Sequence, residues 1–383
     1  MNSAYSRDKN GMDQKDKQLL RHYLGKADIR VSGNRPWDIR IHDERVYSQI
    51  LAEGSIAAGE SYMSGWWDAN ELDRFFEKVF EANLQDTIYK PTQIIWLSLK
   101  NKLFNTQTTS RSYRVGMQHY DRGLDLFSRM LDKRLIYSCA YWNDAGDLEE
   151  AQEKKLDLIC RKLELEPGMR LLDIGCGWGG LLKYAAENYG VEGTGITVSQ
   201  TQAVYANESC KRLPVTIQLK DYRNLEGTYD RIASIGMVEH VGAKNYATFI
   251  QKASDCLAED GLFLLHTIGN RRSILHTDPW IERYIFPNSM VPSIAQLSRA
   301  LEPFFRLEDL HSFGPDYDRT IMAWDQNFRD RWDEISDAYG KVFYRMWRYY
   351  LMSSAASFRT RQLQLWQLLL AKHARRELVR TVR

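Results

Sequence analysis

The stretch LLDIGCGWGG, residues 171–180, decides the fold of this 383-residue chain. An apolar strand pattern runs directly into the glycine-rich turn GCGWGG, and a helical pattern follows at once. Glycines let backbone amides approach a ligand at the N-terminal end of a helix, where partial positive charge collects. The spacing of Gly175, Gly177 and Gly180 also describes dinucleotide sites, so the loop by itself predicts a bound ligand without identifying it.

After this loop, strand patterns and helical patterns alternate. Short apolar segments read RLLDIG, VEGTGITV, VTIQLK, RIASIG and GLFLLHTIG, and helical patterns such as LLKYAAENY, SQTQAVYANESCKRL and NYATFIQKASDCLA separate them. The alternation predicts an α/β fold with a doubly wound, parallel sheet covered on both faces. A helix over 147–163 is expected before it. After an insertion over 270–303 we expect two more strands, FRLEDLHSF and RTIMAWD, and a helical tail from about residue 330.

The first part of the chain has a different organisation. The polar residues 1–12 predict a disordered N-terminus, residues 13–105 a smaller α+β domain, and the polar segment 106–114 a linker to a domain over 115–383. Within the smaller domain, IRVSGNRPWDIRIHD alternates apolar and polar residues around a Gly-Asn pair and predicts a hairpin. One helix is expected to start near Glu71 and a second to cover TQIIWLSLKNKLF.

Charge and composition exclude several classes of protein. Lysine and arginine number 52 against 50 acidic residues, which argues against a nucleic-acid coat protein. No apolar run approaches the ~18 residues of a membrane span, and the N-terminus lacks the apolar segment of a secretion signal. Five cysteines without a CxxC pair favour a reducing cytoplasm. Two basic stretches, 100–134 and 341–383, are interpreted either as solvated helix faces or as surfaces that attract an anionic partner.

Two carboxyl groups indicate what the glycine loop binds. A dinucleotide-binding protein usually has an acidic residue at the end of its second strand, and here that place reads GITVS, residues 195–199. Asp173, inside the first strand, suits an ammonium group, and Asp221, after the third strand, suits an exocyclic amine. S-adenosylmethionine carries both groups. The alternative is that both aspartates only cap helices.

Seven segments together resemble one family: LLDIGCGWGG, GITVSQTQ, DYR, SIGMVEHVG, HTIG and, upstream, HYDRGLDLF and YSCAYW. They are similar to the cyclopropane-fatty-acyl-phospholipid synthases and the related mycolic acid cyclopropane synthases, over about residues 14–383. The resemblance implies a class I methyltransferase domain with a Rossmann-like fold and S-adenosylmethionine as cofactor. It also implies that a cis double bond in a phospholipid acyl chain becomes a cyclopropane. The N-terminal domain resembles that of the bacterial enzymes.

The same resemblance implies roles for individual residues. The cofactor would be bound by Tyr137, Ser138, Asp173, Gly175, Gly177, Thr197, Ser199, Gln202, Asp221, Tyr222, Arg223 and Gly236. In the family a bicarbonate ion accepts the proton, and its ligands match Cys139, Glu239, His266, Ile268 (by its backbone) and Tyr317. One departure is Ser354, where some members have a cysteine, which argues against thiol chemistry at that position.

The chemistry explains why such residues are needed. An alkene is a weak nucleophile, and its methylation leaves a carbocation that must lose a proton to close the ring. The site must therefore be dry, lined by aromatic rings and supplied with a base. Glu239 and His266 follow strands, at the edge where α/β sheets bind ligands. Candidates for the aromatic lining are Tyr137, Tyr141, Trp142, Trp178 and Tyr317, and ordinary core packing is the alternative for each.

The implied partner is a phospholipid bilayer with unsaturated acyl chains, and no nucleic acid is expected. We expect a cytoplasmic enzyme at the inner face of the membrane, forming a homodimer, with Trp66, Trp67, Phe75 and Phe76 exposed to contact lipid. The alternative for those four rings is the core of the N-terminal domain. Two other functions remain open: a methyltransferase that stops at the methylated product, and a lipid-binding protein without activity. The C-terminal tail is expected to cap the catalytic domain.

Overall fold

A computed structural model describes residues 2–84, 123–380 and 382–383, with side chains from residue 14 onward. The predicted helix TQIIWLSLKNKLF and the predicted linker 106–114 lie outside these residues. The described part contains thirteen α-helices: α1 Asn2–Lys26, α2 Arg45–Glu53, α3 Ser55–Met63, α4 Leu72–Glu81, α5 Leu124–Met130, α6 Leu148–Lys162, α7 Gly180–Tyr189, α8 Gln200–Cys210, α9 Tyr246–Cys256, α10 Pro279–Tyr284, α11 Ile294–Leu301, α12 Pro315–Asp330 and α13 Ser336–Arg359. It also contains nine strands: β1 Ile39–Ile41, β2 Trp67–Ala69, β3 Arg170–Ile174, β4 Glu192–Thr197, β5 Val215–Leu219, β6 Tyr229–Ile235, β7 Leu257–Asn270, β8 Phe305–Ser312 and β9 Leu363–Lys372.

A seven-stranded sheet forms the centre of the molecule, in the order β5-β4-β3-β6-β7-β9-β8. Strands β3 to β7 are mutually parallel, and β9 runs antiparallel to both of its neighbours. Separate apolar clusters of buried side chains pack on the sheet, which explains why its inner strands are apolar along their whole length. The predicted doubly wound α/β architecture is confirmed, as are the five strand segments after residue 170 and the helix over 147–163.

The segment RTIMAWD is not the final strand that the sequence predicted. It lies inside helix α12, whose first turn carries Pro315. The buried positions Thr320, Ile321, Trp324 and Phe328 repeat at helical spacing, so the apolar stripe meets the core only as a helix. The β-branched pair Thr320-Ile321 favours a strand locally, which is why the segment was predicted as one.

The predicted helical tail is wrong beyond residue 359. Helix α13 ends at Arg359, and residues 363–372 form strand β9, inserted between β7 and β8. The residues Leu365 to Ala371 are all buried. A run that is buried on both faces shows neither strand nor helix periodicity, so its neighbours in the sheet decide its conformation.

The N-terminal residues also differ from expectation in two places. Helix α1 starts at Asn2, within the segment whose polarity predicted disorder, because a polar stretch without proline does not oppose a helical backbone. The predicted hairpin does not form: β1 pairs antiparallel with β2, and its only pairing with residues 29–33 within the described chain is one parallel bridge between Ile39 and Val31. The buried carboxylate of Asp38 accepts hydrogen bonds from the amides of Arg30 and Arg35, at 2.8 and 3.1 Å, and folds the intervening chain into a loop. The helix that was predicted near Glu71 is α4.

The aromatic residues of this N-terminal part are core residues. Trp67, Phe75 and Phe76 are buried, and half-buried Trp66 lies under the Arg45 guanidinium, 4.3 Å from its ring. The expectation that these rings are exposed to lipid is therefore wrong. They share one apolar cluster with helices α12 and α13. Among the described residues, no helix combines the length and apolarity required to cross a bilayer.

Candidate active site

A cavity opens at the carboxyl ends of β3, β4, β5 and β6, where the strand order reverses between β3 and β6. This is the position at which doubly wound sheets bind ligands. Ten of the twelve predicted cofactor residues line it: Tyr137, Ser138, Asp173, Gly175, Gly177, Thr197, Gln202, Asp221, Tyr222 and Gly236. The other two support the lining. Ser199 caps helix α8 by accepting from the Gln202 amide, and Arg223 is ion-paired with Asp221 at 2.8 Å.

The glycine loop connects β3 to helix α7, and two of its positions require glycine. Gly175 has a φ of +88°, and a Cβ there would lie 2.6 Å from the side chain of Met237. A Cβ on Gly180 would lie 2.7 Å from the Arg134 carbonyl oxygen. The loop therefore keeps its backbone close to the N-terminal end of α7, where a ligand can approach the amide groups.

The two aspartates of the cavity have different environments. Asp173 is buried, its Oδ1 has no hydrogen-bond partner within the described protein, and burial raises its pKa to about 7. Asp221 accepts from the Arg223 amide at 2.9 Å and caps a short 3-10 helix. Capping thus accounts for Asp221 but not for Asp173. An unpartnered buried carboxyl fits a ligand ammonium group, so the donor set agrees with S-adenosylmethionine.

Two further cavity residues received no role from the sequence. Lys155 is buried in helix α6, donates to Ser138 Oγ at 3.0 Å, and has its pKa lowered to about 8 by burial. His240 also lines the cavity, and burial lowers its pKa to about 4. Helical spacing could have identified Lys155 as buried, because it lies four residues after Ala151 on the buried face of the predicted helix.

The five residues that the resemblance assigned to bicarbonate lie in one region. Cys139 is buried in a small apolar cluster with Phe313, and half-buried Ile268 and Tyr317 pack against that cluster. The His266 ring lies 5.8 Å from the Phe313 ring. Glu239 completes the group, because its Oε1 accepts a hydrogen bond from the Ile268 amide at 2.7 Å. Residues from four separate segments of the chain thus converge.

Two buried polar atoms of this region have no partner in the described protein: Glu239 Oε2 and His266 Nε2. Burial raises the pKa of Glu239 to about 7, although the Ile268 amide partly opposes that shift. Burial also lowers the pKa of His266 well below its ordinary value, so the imidazole is neutral. A carboxyl group and a neutral imidazole can bind a small anion that carries an acidic hydrogen. The Ile268 amide is already used by Glu239, which differs from the expectation that it binds the anion.

None of the five residues assigned to bicarbonate lines the cavity, but two of them are chain neighbours of residues that do. Ser138 of the cavity precedes Cys139, and His240 of the cavity follows Glu239. The amide of Gly236, another cavity residue, donates to the carbonyl oxygen of His266 at 2.9 Å. The backbone of the anion region is therefore continuous with the wall of the cavity.

Candidate aromatic residues lie both at the cavity and in the anion region. Tyr137 and Trp178 line the cavity, and the Tyr137 ring lies 5.2 Å from Trp324. Tyr317 packs against Phe358 at 4.5 Å.

The two remaining candidate rings differ, because Tyr141 packs against the same cluster as Tyr317 and Trp142 belongs to another cluster. Tyr141 packs on Phe313, with 5.3 Å between the ring centroids. Trp142 packs against the Arg319 guanidinium at 4.4 Å and donates to Thr320 Oγ1 at 2.9 Å. The alternative of core packing therefore applies to Trp142.

Comparison with known proteins identifies similar chains. The family model described as mycolic acid cyclopropane synthetase matches residues 107–368. The cyclopropane-fatty-acyl-phospholipid synthase of Escherichia coli K12 is 49% identical over 93% of both chains. The structure of the cyclopropane synthase MmaA2 from Mycobacterium tuberculosis aligns with a TM-score of 0.64 at 31% identity, over 70% of this chain and 100% of that one. The mycolic acid cyclopropane synthase CmaA1, complexed with SAH and CTAB, aligns with a TM-score of 0.63 at 31% identity, over 68% and 98%. These matches confirm the class I methyltransferase fold.

Proposed function

Because the chain belongs to the mycolic acid cyclopropane synthetase family, we propose that it transfers a methylene carbon from S-adenosylmethionine to the cis double bond of a phospholipid acyl chain, closing a cyclopropane. The observation that carries this proposal is a pair of buried atoms without a partner among the described residues, Glu239 Oε2 and His266 Nε2, in chain segments that adjoin the lining of the cofactor cavity. A methyltransferase that leaves a methylated alkene also releases one proton from the carbocation, so these atoms support a proton acceptor and the product distinguishes the two reactions.

Cofactor binding is the first requirement. When bound, S-adenosylmethionine supplies an electrophilic methyl group on its sulfonium. Asp173 would accept from the cofactor's ammonium group, and the backbone at Gly175 and Gly177 would lie against its aminoacyl part. Asp221 and Tyr222 line the side of the cavity where the adenine would bind.

The second requirement is a dry, aromatic surrounding for the acyl chain. Methylation of the alkene leaves positive charge on carbon, and an aromatic face can stabilise a desolvated cation by about 2 kcal/mol. Tyr137 and Tyr317 are the residues that we assign to this role, because their rings lie 5.2 Å and 5.9 Å from the shared neighbour Trp324.

The third requirement is a proton acceptor. Bicarbonate, when bound, would supply the base that removes a proton from the new methyl group. Glu239 Oε2 would hold the acidic hydrogen of the anion, and the His266 Nε2–H would donate to one of its oxygens. The Ile268 amide acts through Glu239, because it holds Oε1 at 2.7 Å and leaves Oε2 available. Cys139 and Tyr317 would complete the binding site.

We also propose peripheral membrane association and a homodimer. The basic stretch 341–383 supports the membrane contact less strongly than its charge suggested. Six of its ten basic residues form ion pairs with carboxylates of this chain: Arg345, Arg348, Arg359, Lys372, Arg375 and Arg383. Co-sedimentation with anionic vesicles and equilibrium ultracentrifugation test the two statements separately.

The test of the activity uses vesicles of monounsaturated phospholipid and methyl-labelled S-adenosylmethionine, with and without added bicarbonate. We expect label in the lipid, a gain of one CH₂ in acyl mass and loss of the double bond. Retention of an alkene would favour the methyltransferase alternative, and absence of label would contradict the proposal. Glu239→Gln should abolish turnover while cofactor affinity stays unchanged, with the exposed Glu192→Gln as a matched control.

A further inference from the structure

Gln367 is a fully buried polar residue of strand β9 that neither the sequence motifs nor the reaction explains. In the sheet it lies directly opposite His266 of β7 on one side and His311 of β8 on the other. Its side-chain amide nitrogen lies 3.3 Å from Nδ1 of His266. A buried polar side chain is costly unless it is hydrogen-bonded, so this contact accounts for the amide nitrogen of Gln367, whereas its Oε1 has no partner among the described residues.

The contact determines which nitrogen of His266 carries the proton. A neutral imidazole has one N–H donor and one acceptor nitrogen. When the amide N–H of Gln367 donates to Nδ1, that nitrogen is the acceptor and the proton resides on Nε2. Nε2 has no partner in the described protein, and neither has Oε2 of Glu239, the other atom assigned to the anion.

We propose that Gln367 is a positioning residue that holds His266 in its Nε2–H tautomer and thereby makes the imidazole a donor to the anion. This inference rests on the proposed function, since the anion is the bicarbonate of that mechanism. In the opposite tautomer the Nε2 lone pair would face the anion and repel it. Gln367 does not touch the reacting atoms in this arrangement and acts only through the ring of His266.

Glutamate is the most informative substitution at this position, because it has the shape of glutamine and its ionised carboxylate can only accept hydrogen bonds. In Gln367→Glu the ionised carboxylate would accept a hydrogen bond from Nδ1–H, so that Nδ1 carries the hydrogen. A matched control is Gln364→Glu on the same strand. Gln364 Oε1 accepts from Trp366 Nε1 at 3.0 Å, and a carboxylate there can accept the same hydrogen bond.

The experiment is ¹⁵N NMR of histidine-labelled protein without added bicarbonate, with the His266 signals assigned by His266→Asn. In the wild type we expect hydrogen on Nε2 and a bare Nδ1, and in Gln367→Glu hydrogen on Nδ1. The control should match the wild type. Hydrogen on Nδ1 in the wild type would overturn the proposal, and that spectrum decides the matter even if a variant does not fold.

Kinetics give the second measurement. For Gln367→Glu we expect the bicarbonate concentration for half-maximal rate to rise about tenfold or more, with cofactor affinity unchanged. A wild-type rate that does not depend on the bicarbonate concentration would contradict the proposed base and leave the tautomer assignment standing. An unchanged bicarbonate requirement in a variant whose tautomer has reversed would overturn the positioning role.

Discussion

Asp173 and Glu239 each have one oxygen that finds no partner among the residues the structure describes, although both side chains are buried. Burial raises the pKa of each to about 7, because a charge is poorly solvated inside the protein. Unsatisfied buried polar atoms are uncommon in folded proteins and require an explanation. Here the explanation is a ligand at each place: a cationic group at Asp173 and an anion with an acidic hydrogen at Glu239.

Asp173→Asn should weaken binding of S-adenosylmethionine about 10- to 100-fold, because the amide lacks the charge that pairs with the ammonium group. The exposed Asp255→Asn, on helix α9, is the matched control and should bind like the wild type. Isothermal titration calorimetry measures both. Unchanged affinity in the first variant would show that Asp173 does not contact the ammonium group.

Glu239 should make the protein less stable as pH rises. Its pKa is about 7 in the folded protein and 4.5 is its ordinary value, so the folded state holds more protons between these limits. Stability contributed by the protonated form is present below pH 4.5 and is lost as pH rises through 7. Between pH 5 and pH 8, the free energy of unfolding of Glu239→Gln should rise by on the order of 2 to 3 kcal/mol relative to that of the wild type. Urea unfolding at the two pH values measures this, and a difference that is independent of pH would contradict it.

At the scale of elements, Arg359 connects three helices. It ends α13 and pairs with Asp73 and Glu77 of α4, at 2.9 and 3.1 Å, and with Asp318 of α12 at 2.9 Å. Its neighbour Phe358 contacts the Tyr317 ring. The N-terminal helix α4 is thereby linked to the helix that carries Tyr317, so the position of that phenol depends on contacts outside the catalytic sheet.

Arg359→Met should lower the free energy of unfolding by about 1 to 3 kcal/mol, because three partly buried carboxylates lose their shared cation. Arg74→Met is the matched control. Arg74 forms an exposed pair with Glu71 at 3.3 Å, and such pairs contribute about 0 to 1 kcal/mol. Chemical denaturation compares the two variants. Equal losses of unfolding free energy in the two variants would mean that the Arg359 network stabilises the fold no more than an exposed ion pair does.

Elements also show where sequence patterns reach their limit. Strands β3 to β6 were predicted because each is a short apolar segment between clear helical patterns. Strand β9 and helix α12 were predicted in the wrong conformation, because LQLWQLLLAK is apolar without a clear period and RTIMAWD is too short to distinguish the two periods. In each case the neighbouring strands or helices supply the contacts that decide between the two.

At the scale of the whole molecule, the N-terminal residues and the catalytic part share a core. One apolar cluster joins Trp67 and Phe76 to Trp280, Trp347 and Tyr349. The Tyr349 ring lies 4.9 Å from Phe76 and 4.4 Å from Trp280. Burial of each such side chain contributes about 1.5 to 3 kcal/mol, so this contact stabilises both parts.

Deletion of residues 1–122 should therefore prevent normal folding, because the apolar faces of α12 and α13 lose their cover. We expect the full chain to unfold in a single calorimetric transition and the shortened chain to aggregate or to lack a cooperative transition. Limited proteolysis provides a second measurement. A shortened chain that melts cooperatively and binds S-adenosylmethionine as tightly as the full chain would contradict this prediction.

The sequence by itself determined the parts of this protein that depend on neighbours along the chain. The strand, glycine loop and helix over 171–189 are local, and so are Asp173 beside that loop and the motifs that carry the family resemblance. Tertiary structure alone decided the rest: the strand at 363–372, the burial of the N-terminal aromatic residues, and the Ile268 amide that holds Glu239. These features arise from contacts between segments that are distant in the chain, and a buried apolar or polar residue takes its conformation and partner from the side chains that surround it.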